Sequence, residues 1–361
     1  MARYLPGLLA ALLFGCSAPL ITLLARQGGA LAVAALLYLG ASLALLMVRA
    51  FAGGSGAETP IQWGVDLPAL AGLTLLGGVL GPWLLVLGLE RLPAAAGALM
   101  LNLEAVFTLL IAVLVGKEHL GRRGVLAASL TLAGAVVLSR GSLGGASTSG
   151  ALLIAAATLA WGIDNNLSQR LSLRDPLQLA GFKATCASLP MLLLAWGLGQ
   201  PFPPWHVSLQ LLLVGALGYG ISIWLDFLAL RRLGAAREAV VFSTAPFVGA
   251  IFAVVVLRNP LSTALLGAAA LMAFGVVLLI GEEHSHWHRH RSQHHDHRHQ
   301  HSPDGADPHH DHSHSAEQLA GHDPAQTFWH AHPHEHAPIE HSHSHVSDAH
   351  HRPAIFSFPS L

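Results

Sequence analysis

The sequence predicts an all-α membrane protein: ten transmembrane helices as two inverted five-helix repeats, followed by a disordered, His-rich tail. Three observations carry this expectation. Apolar residues make up 53% of the 361 and charged residues only 11%, with a mean hydropathy of +0.52; a soluble chain carries roughly 25% charged residues. The chain matches itself when shifted by 141 residues. Its 25 histidines are segregated, all but His119 and His206 lying after Gly281. A soluble α/β enzyme is excluded.

Up to Gly281 the chain holds 15 Lys+Arg against 9 Asp+Glu, and the remaining 80 residues hold 4 Arg against 11 acids. One chain is therefore two materials, an apolar, slightly basic body and an acidic tail. The boundaries read as 1–140 for the first repeat, 141–281 for the second and 282–361 for the tail. Cys16 and Cys186 both fall in apolar runs, so no disulfide framework is expected. Leu13-Phe14-Gly15-Cys16 loosely resembles a lipoprotein cleavage box. Phe14 is the wrong size for that box, and apolar sequence continues to Ala25, so an uncleaved first helix is expected.

About 20 mostly apolar residues span the hydrocarbon core. Such stretches run approximately 6–25, 30–51, 67–89, 93–115, 122–140, 150–169, 177–199, 207–230, 235–257 and 261–281. Short punctuation separates them, and no gap is long enough for a folded domain. The amino terminus and the even-to-odd gaps hold Arg3, Arg49, Lys117, Arg122, Arg123, Arg170, Arg174, Arg231, Arg232 and Arg237. The other side holds only Arg26, Arg91, Arg140 and Arg258. Because basic loops stay inside, both termini are expected in the cytoplasm.

The shift of 141 lays Leu70–Leu138 over Leu211–Leu279 without a gap, with 22 of 69 pairs identical. Trp83 falls on Trp224, and Gly134 on Gly275. A slightly different offset aligns Phe14-Gly15 of the first span with Trp161-Gly162 of the sixth. A five-helix unit is odd, so its second copy enters the membrane upside down. Inverted halves of this kind rock around a mid-membrane site, which points to alternating-access transport.

The stretch from Leu92-Pro93-Ala94-Ala95-Ala96 through Asn102-Leu103-Glu104-Ala105-Val106 to Gly116-Lys117-Glu118-His119-Leu120, and its repeat from Leu233-Gly234-Ala235-Ala236 through Ser243-Thr244-Ala245-Pro246-Phe247, resemble the EamA-type branch of the drug/metabolite transporter superfamily. The resemblance covers residues 6–281 and extends to a subset with Trp-Gly-Ile-Asp-Asn-Asn in the sixth span and a His-rich tail. Two departures stand out. Arg258-Asn259-Pro260-Leu261 replaces the usual acidic position, and the first copy has Glu104-Ala105 where the second has Ala245-Pro246. The resemblance implies a transporter of small solutes without naming the solute.

Ionisable groups inside a membrane are costly, so each is a functional candidate. Glu104 lies near the middle of the fourth span, with no basic partner at its depth. Asp164 and Lys183 lie at matching depth in spans six and seven, which makes an ion pair plausible, either structural or part of a binding site. Asn102, Asn165 and Asn166 are expected to line the same polar cavity or to bond between helices. Asp226 is expected to reach interfacial water or Arg231. Pro19, Pro82, Pro190 and Pro246 lie within spans, where each frees a backbone carbonyl.

In the tail 23 of 80 residues are histidine, with apolar residues too sparse for a core. Imidazole suits zinc, nickel, cobalt and copper. The expected ligands are His284, His286, His288, His290, His294, His295, His297, His299, His301, His309, His310, His312, His314, His330, His332, His334, His336, His341, His343 and His345. The functional expectation is a bacterial inner-membrane secondary transporter of a small metabolite with a metal-binding regulatory tail. The alternatives are a divalent-metal exporter that the tail supplies, and a membrane-anchored metal buffer or sensor. His334-Glu335-His336 lacks the second His of a zinc-protease helix, and no nucleotide loop appears, so no enzyme and no required cofactor are expected. The expected partners are the solute, the lipid bilayer and tail-bound divalent metal ions. A homodimer is compatible with this reading, and no nucleic-acid partner is expected.

Overall fold

The computed structural model describes residues 4–52, 61–115, 121–140, 148–168, 171, 174–233, 235–280, 284–290, 293–301, 328–336 and 339–345. The chain divides into two units, a helical body and a second unit that holds the tail from Glu283 onward. The body is built from α1 (Leu5–Gln27), α2 (Ala30–Phe51), α3 (Trp63–Leu89), α4 (Ala94–Leu114) and α5 (Arg122–Arg140), then α6 (Thr148–Ser168), α7 (Pro176–Gly197), α8 (Trp205–Leu230), α9 (Arg237–Val255) and α10 (Thr263–Ile280). All but α6 are long and apolar enough to cross a membrane. With 21 residues α6 is long enough, but it closes on Asp164-Asn165-Asn166. This is the helix that carries three of the polar candidates, Asp164, Asn165 and Asn166.

The third span begins earlier than its hydropathy suggests, at Trp63, because Asp66 belongs to its first turn. The Asp66 carboxylate accepts the Gln62 backbone N–H at 2.7 Å and complements the positive end of the helix. What reads as a polar link is a helix start.

Helix irregularities recur at repeat-related places. α3 contains a π stretch, Thr74–Leu80, and α8 another, Ala216–Ile221. α4 is two helices, Ala94–Met100 and Leu103–Leu114. The chain through α9 is likewise broken, between Ala235–Phe242 and Ala245–Val255. Each break is held by side chains that compete for helix carbonyls. Asn102 donates its amide to the Leu99 carbonyl at 2.8 Å, and the Ser243 and Thr244 hydroxyls donate to Val240 and Val241 at 2.8 and 2.6 Å.

The packing pattern survives exchange of the two halves. α5 pairs with α10 and α2 with α7; α3 and α4 pack on α6 as α8 and α9 pack on α1. Glycines set these approaches, as small residues do in membrane bundles. A β-carbon at Gly134 would lie 2.8 Å from Met272 Cγ, and one at Gly275 would lie 2.9 Å from the Ala127 carbonyl oxygen. Between α2 and α8 the fit is tighter. Gly40 lies on the backbone of Leu212 and Gly215 on that of Leu37, with no room for a β-carbon at either. Ala30–Tyr38 of α2 are buried without interruption, as expected of a helix enclosed on all sides. The link between α9 and α10 is also tied in. Asn259 Oδ1 accepts the Ala95 N–H at 3.1 Å, and Arg258 adopts a left-handed φ of 53° beside it.

In the tail the structure describes four strands, β1 (His284–His290), β2 (Gln293–His301), β3 (Phe328–His336) and β4 (Ile339–His345). β1 pairs antiparallel with β4, and β2 with β3. Composition leads one to expect no fixed structure here, because there is no core to bury. The strands follow instead from alternation, since His at every second position matches the strand period. His309, His310, His312 and His314 lie outside the described residues.

Candidate substrate-binding and coupling site

The polar candidates meet where α6 touches α3, α4 and α7. Asp164 is 4% exposed, and its Oδ2 accepts a hydrogen bond and ion pair from Lys183 Nζ at 2.7 Å. Depth along two helices predicted this pair, and the structure forms it. Asp164 Oδ1 is buried without a hydrogen-bond partner. The carboxylate fits only because Gly77 of α3 has no side chain: a β-carbon there would overlap all three carboxyl atoms.

On the α4 side, Asn165 Nδ2 donates to Glu104 Oε1 at 2.9 Å and to Thr108 Oγ1 at 3.2 Å. Asn166 Nδ2 donates to the carbonyls of Thr108, at 3.0 Å, and Gly162, at 2.8 Å. Gly162 makes these contacts possible, since a β-carbon there would sit 2.9 Å from the Thr108 nitrogen. Glu104, Asp164, Asn165, Asn166 and Lys183 are thus brought together. Among the described residues Glu104 has no basic partner in a salt bridge. Asn102 stands apart. Two residues from Glu104 on a helical path it faces nearly the opposite way, is 5% exposed, and contacts Met272 Sδ at 4.0 Å. Asp226 has its Oδ1 buried without a partner and meets the side chain of Glu238 from α9.

Several contributors were not singled out from sequence. Tyr38 of α2 and Trp161 of α6 both donate to the Gly77 carbonyl, at 2.8 and 3.1 Å. Their convergence has a backbone cause. Within the π stretch the Gly81 N–H bonds to Leu76, and the donor that would serve Gly77, five residues on, is Pro82, which has no N–H. The two side chains satisfy a carbonyl that the helix cannot. The sequence signal for this arrangement is Pro82, a residue without an N–H inside its span. Tyr38→Phe and Trp161→Phe, singly, are expected to cost about 1 kcal/mol each. The double variant is expected to lose more than the sum, because the carbonyl is then orphaned. Thermal unfolding of the detergent-purified protein reads this, and additive losses would refute it.

Exchange of the halves exposes an asymmetry. The counterpart of Glu104 is Ala245, and that of Thr108 is Gly249; Ser17, Ala18 and Pro19 stand where Asp164, Asn165 and Asn166 stand. The equivalence is geometric as well. A β-carbon at Gly218, the counterpart of Gly77, would lie 2.7 Å from Ser17 Cβ. A β-carbon at Gly15, the counterpart of Gly162, would lie 3.2 Å from the Gly249 nitrogen. One of two symmetry-related junctions is charged, and its mate is nearly apolar. Near the mate are Phe14 and Tyr219, with ring centroids 5.7 Å apart, and Tyr219 lies 6.0 Å from Tyr38. Among the described residues no three His, Cys, Asp or Glu form a group able to hold a metal ion. Cys16 and Cys186 are both free thiols.

A multi-pass helical body of two inverted halves, with an ion pair and a polar cluster at the junction between them, defines a membrane transporter rather than an enzyme. The EamA-like transporter family model matches residues 2–140 and again 148–281, and the chain belongs to that family. It is similar to an uncharacterized transporter of Methanothermobacter thermautotrophicus, with 28% identity over 300 residues covering 76% of this chain and 85% of the relative. An uncharacterized protein of Pseudomonas aeruginosa is 31% identical over 202 residues, covering 53% of this chain and 66% of that one. A solved crystal structure with 23% identity shares the fold at a TM-score of 0.56, covering 77% of this chain and 96% of its own.

Proposed function

We propose that this protein is a secondary transporter that moves a small metabolite by alternating access, with solute or coupling proton engaged at Glu104, Asp164 and Lys183. The one-sided polar junction carries the reading. Carboxylates and a lysine are placed between the two halves, where rocking would expose them to each side in turn. The Asp164–Lys183 pair supplies both charge signs, and Glu104 adds a carboxylate that accepts from the Asn165 amide. Asn165 and Asn166 position α6 against α4, whereas Asn102 shapes the break in α4. The basic-residue bias, ten against four, favours both termini in the cytoplasm, and the family favours a bacterial inner membrane. The tail is a metal-binding regulatory segment for Zn, Ni, Co or Cu.

The second reading is a divalent-metal exporter, favoured by the 23 tail histidines alone. Elemental analysis and metabolite profiling of expressing cells, challenged with nickel, cobalt, zinc and copper, separate the two. Three forms are compared: full length, a chain stopped after Glu283, and Glu104→Gln. Glu104→Gln is expected to abolish an expression-dependent change in a metabolite's distribution while leaving cell metal content unchanged. Cytoplasmic metal lowered in a Glu104-dependent way would instead establish metal export and overturn the metabolite reading.

A further inference from the structure

The polar junction is unbalanced in charge and in hydrogen-bonding groups. Glu104 and Asp164 bring two carboxylates to one ammonium, that of Lys183, and both Asp164 and Lys183 are within electrostatic reach of Glu104. One negative charge is left over. The hydrogen bonds are unbalanced in the same direction. Lys183 gives an N–H to Asp164 Oδ2, and Asn165 gives its amide to Glu104 Oε1. Asp164 is 4% exposed, yet its Oδ1 is buried with no donor. A buried carboxylate oxygen is costly to leave so, and it marks where a donor from outside the chain belongs. Aromatic rings lead from this place toward the apolar mate. Tyr38 donates to the carbonyl of Gly77, the residue that Asp164 rests against. Its ring lies 6.0 Å from that of Tyr219, which lies 5.7 Å from that of Phe14.

We propose that the transported solute is a small organic monocation, a protonated primary or secondary amine that donates its N–H groups to Asp164 Oδ1 and Glu104 and lays an apolar body along Tyr38, Tyr219 and Phe14. This rests on the transport reading and names the class of solute for it. Charge selects that class. A single positive charge cancels the excess negative one, whereas a zwitterion leaves it in place and an anion adds to it. Hydrogen bonding selects it again. An ammonium carries donors and no acceptor, which suits a junction rich in acceptors, and its bonds to carboxylates are charge-assisted. Lys183 is already paired with Asp164, so a solute carboxylate would have to compete for it. The rings complete the fit, since a cation is attracted to aromatic faces and small-molecule sites are mostly apolar with a few placed polar groups.

Four probes that share one body test this on the full-length, detergent-purified protein: phenethylamine, its N,N,N-trimethyl derivative, phenylalanine and phenylacetate. A ligand that binds the folded state raises the unfolding temperature, and the dependence on concentration gives its affinity. Phenethylamine is expected to bind at least tenfold more tightly than the zwitterion, the anion or the trimethyl cation, which has the charge but no N–H. Glu104→Gln is expected to weaken phenethylamine roughly tenfold or more; the ranking of probes on the unaltered chain does not depend on how that variant folds. Phenylalanine or phenylacetate binding as tightly as phenethylamine would overturn the amine class, and so would binding of none of the four. Equal binding of the trimethyl cation, or amine binding untouched by Glu104→Gln, would overturn the N–H contacts. None of these results bears on transport itself, which fails separately if Glu104→Gln leaves every metabolite distribution in expressing cells unchanged.

Discussion

Lys183→Met is expected to destabilise the protein by roughly 3 kcal/mol, because it leaves the Asp164 carboxylate buried without its countercharge. Removing one partner of a buried pair costs about 3–5 kcal/mol; the lower end applies because the Lys183 side chain is 24% exposed. Asp164→Asn combined with Lys183→Met is expected to restore most of the thermal stability, since no uncompensated charge then remains. A pair that serves only to hold α6 against α7 leaves transport near normal in the double variant. A pair that belongs to the binding site leaves a stable protein that no longer transports. Unfolding temperature and transport, measured on the same three variants, therefore separate structural from functional use. A Lys183→Met protein as stable as its parent would show that the pair constrains nothing.

The second large effect is expected at the contact of α2 with α8. Gly40→Ala and Gly215→Ala each place a methyl group on a backbone carbonyl of the facing helix, Leu212 or Leu37. Backbone cannot step aside as a side-chain tip can, so the helices must separate and lose their packing. Overpacking of this kind costs typically 1–3 kcal/mol, and both variants belong at the upper end. Gly267→Ala is the matched control, because a β-carbon there meets nothing within 4 Å. Membrane abundance and unfolding temperature should fall sharply for the first two and hold for the third. Equal behaviour of all three would contradict the close approach of α2 and α8.

Much of this architecture was legible in the residues, for reasons that can be named. Spans are readable because hydrocarbon demands a run of apolar residues, and the repeat because Trp83 and Trp224 or Gly134 and Gly275 keep their spacing. The Asp164–Lys183 pair was readable from depth alone, since two helices leaving one turn descend at the same rate. Rotation about the helix axis was harder. Asn102 and Glu104 share a depth but not a face, so proximity in sequence misled where the structure separates them. The π stretches left only indirect traces in Gly77-Gly78 and Pro82, and the link of Tyr38 to Gly77 crosses 39 positions that no local pattern connects. The tail was read by composition, which speaks to cores and is silent on register.

The Pro82 arrangement has no counterpart in the second half. An α-helical path through α3 would orphan the Gly78 carbonyl, because the donor four residues on is Pro82; the π stretch moves that debt to Gly77, where Tyr38 and Trp161 wait. Straightening α3 would break two side-chain bonds from two other helices and gain no backbone bond in return. In α8 the equivalent position is Ile223, which carries an N–H, so its stretch can pass between π and α winding without stranding a carbonyl. The two π stretches therefore answer to different partners: in the first repeat two side chains from neighbouring helices, in the second the helix's own backbone, and a single imino acid makes the difference.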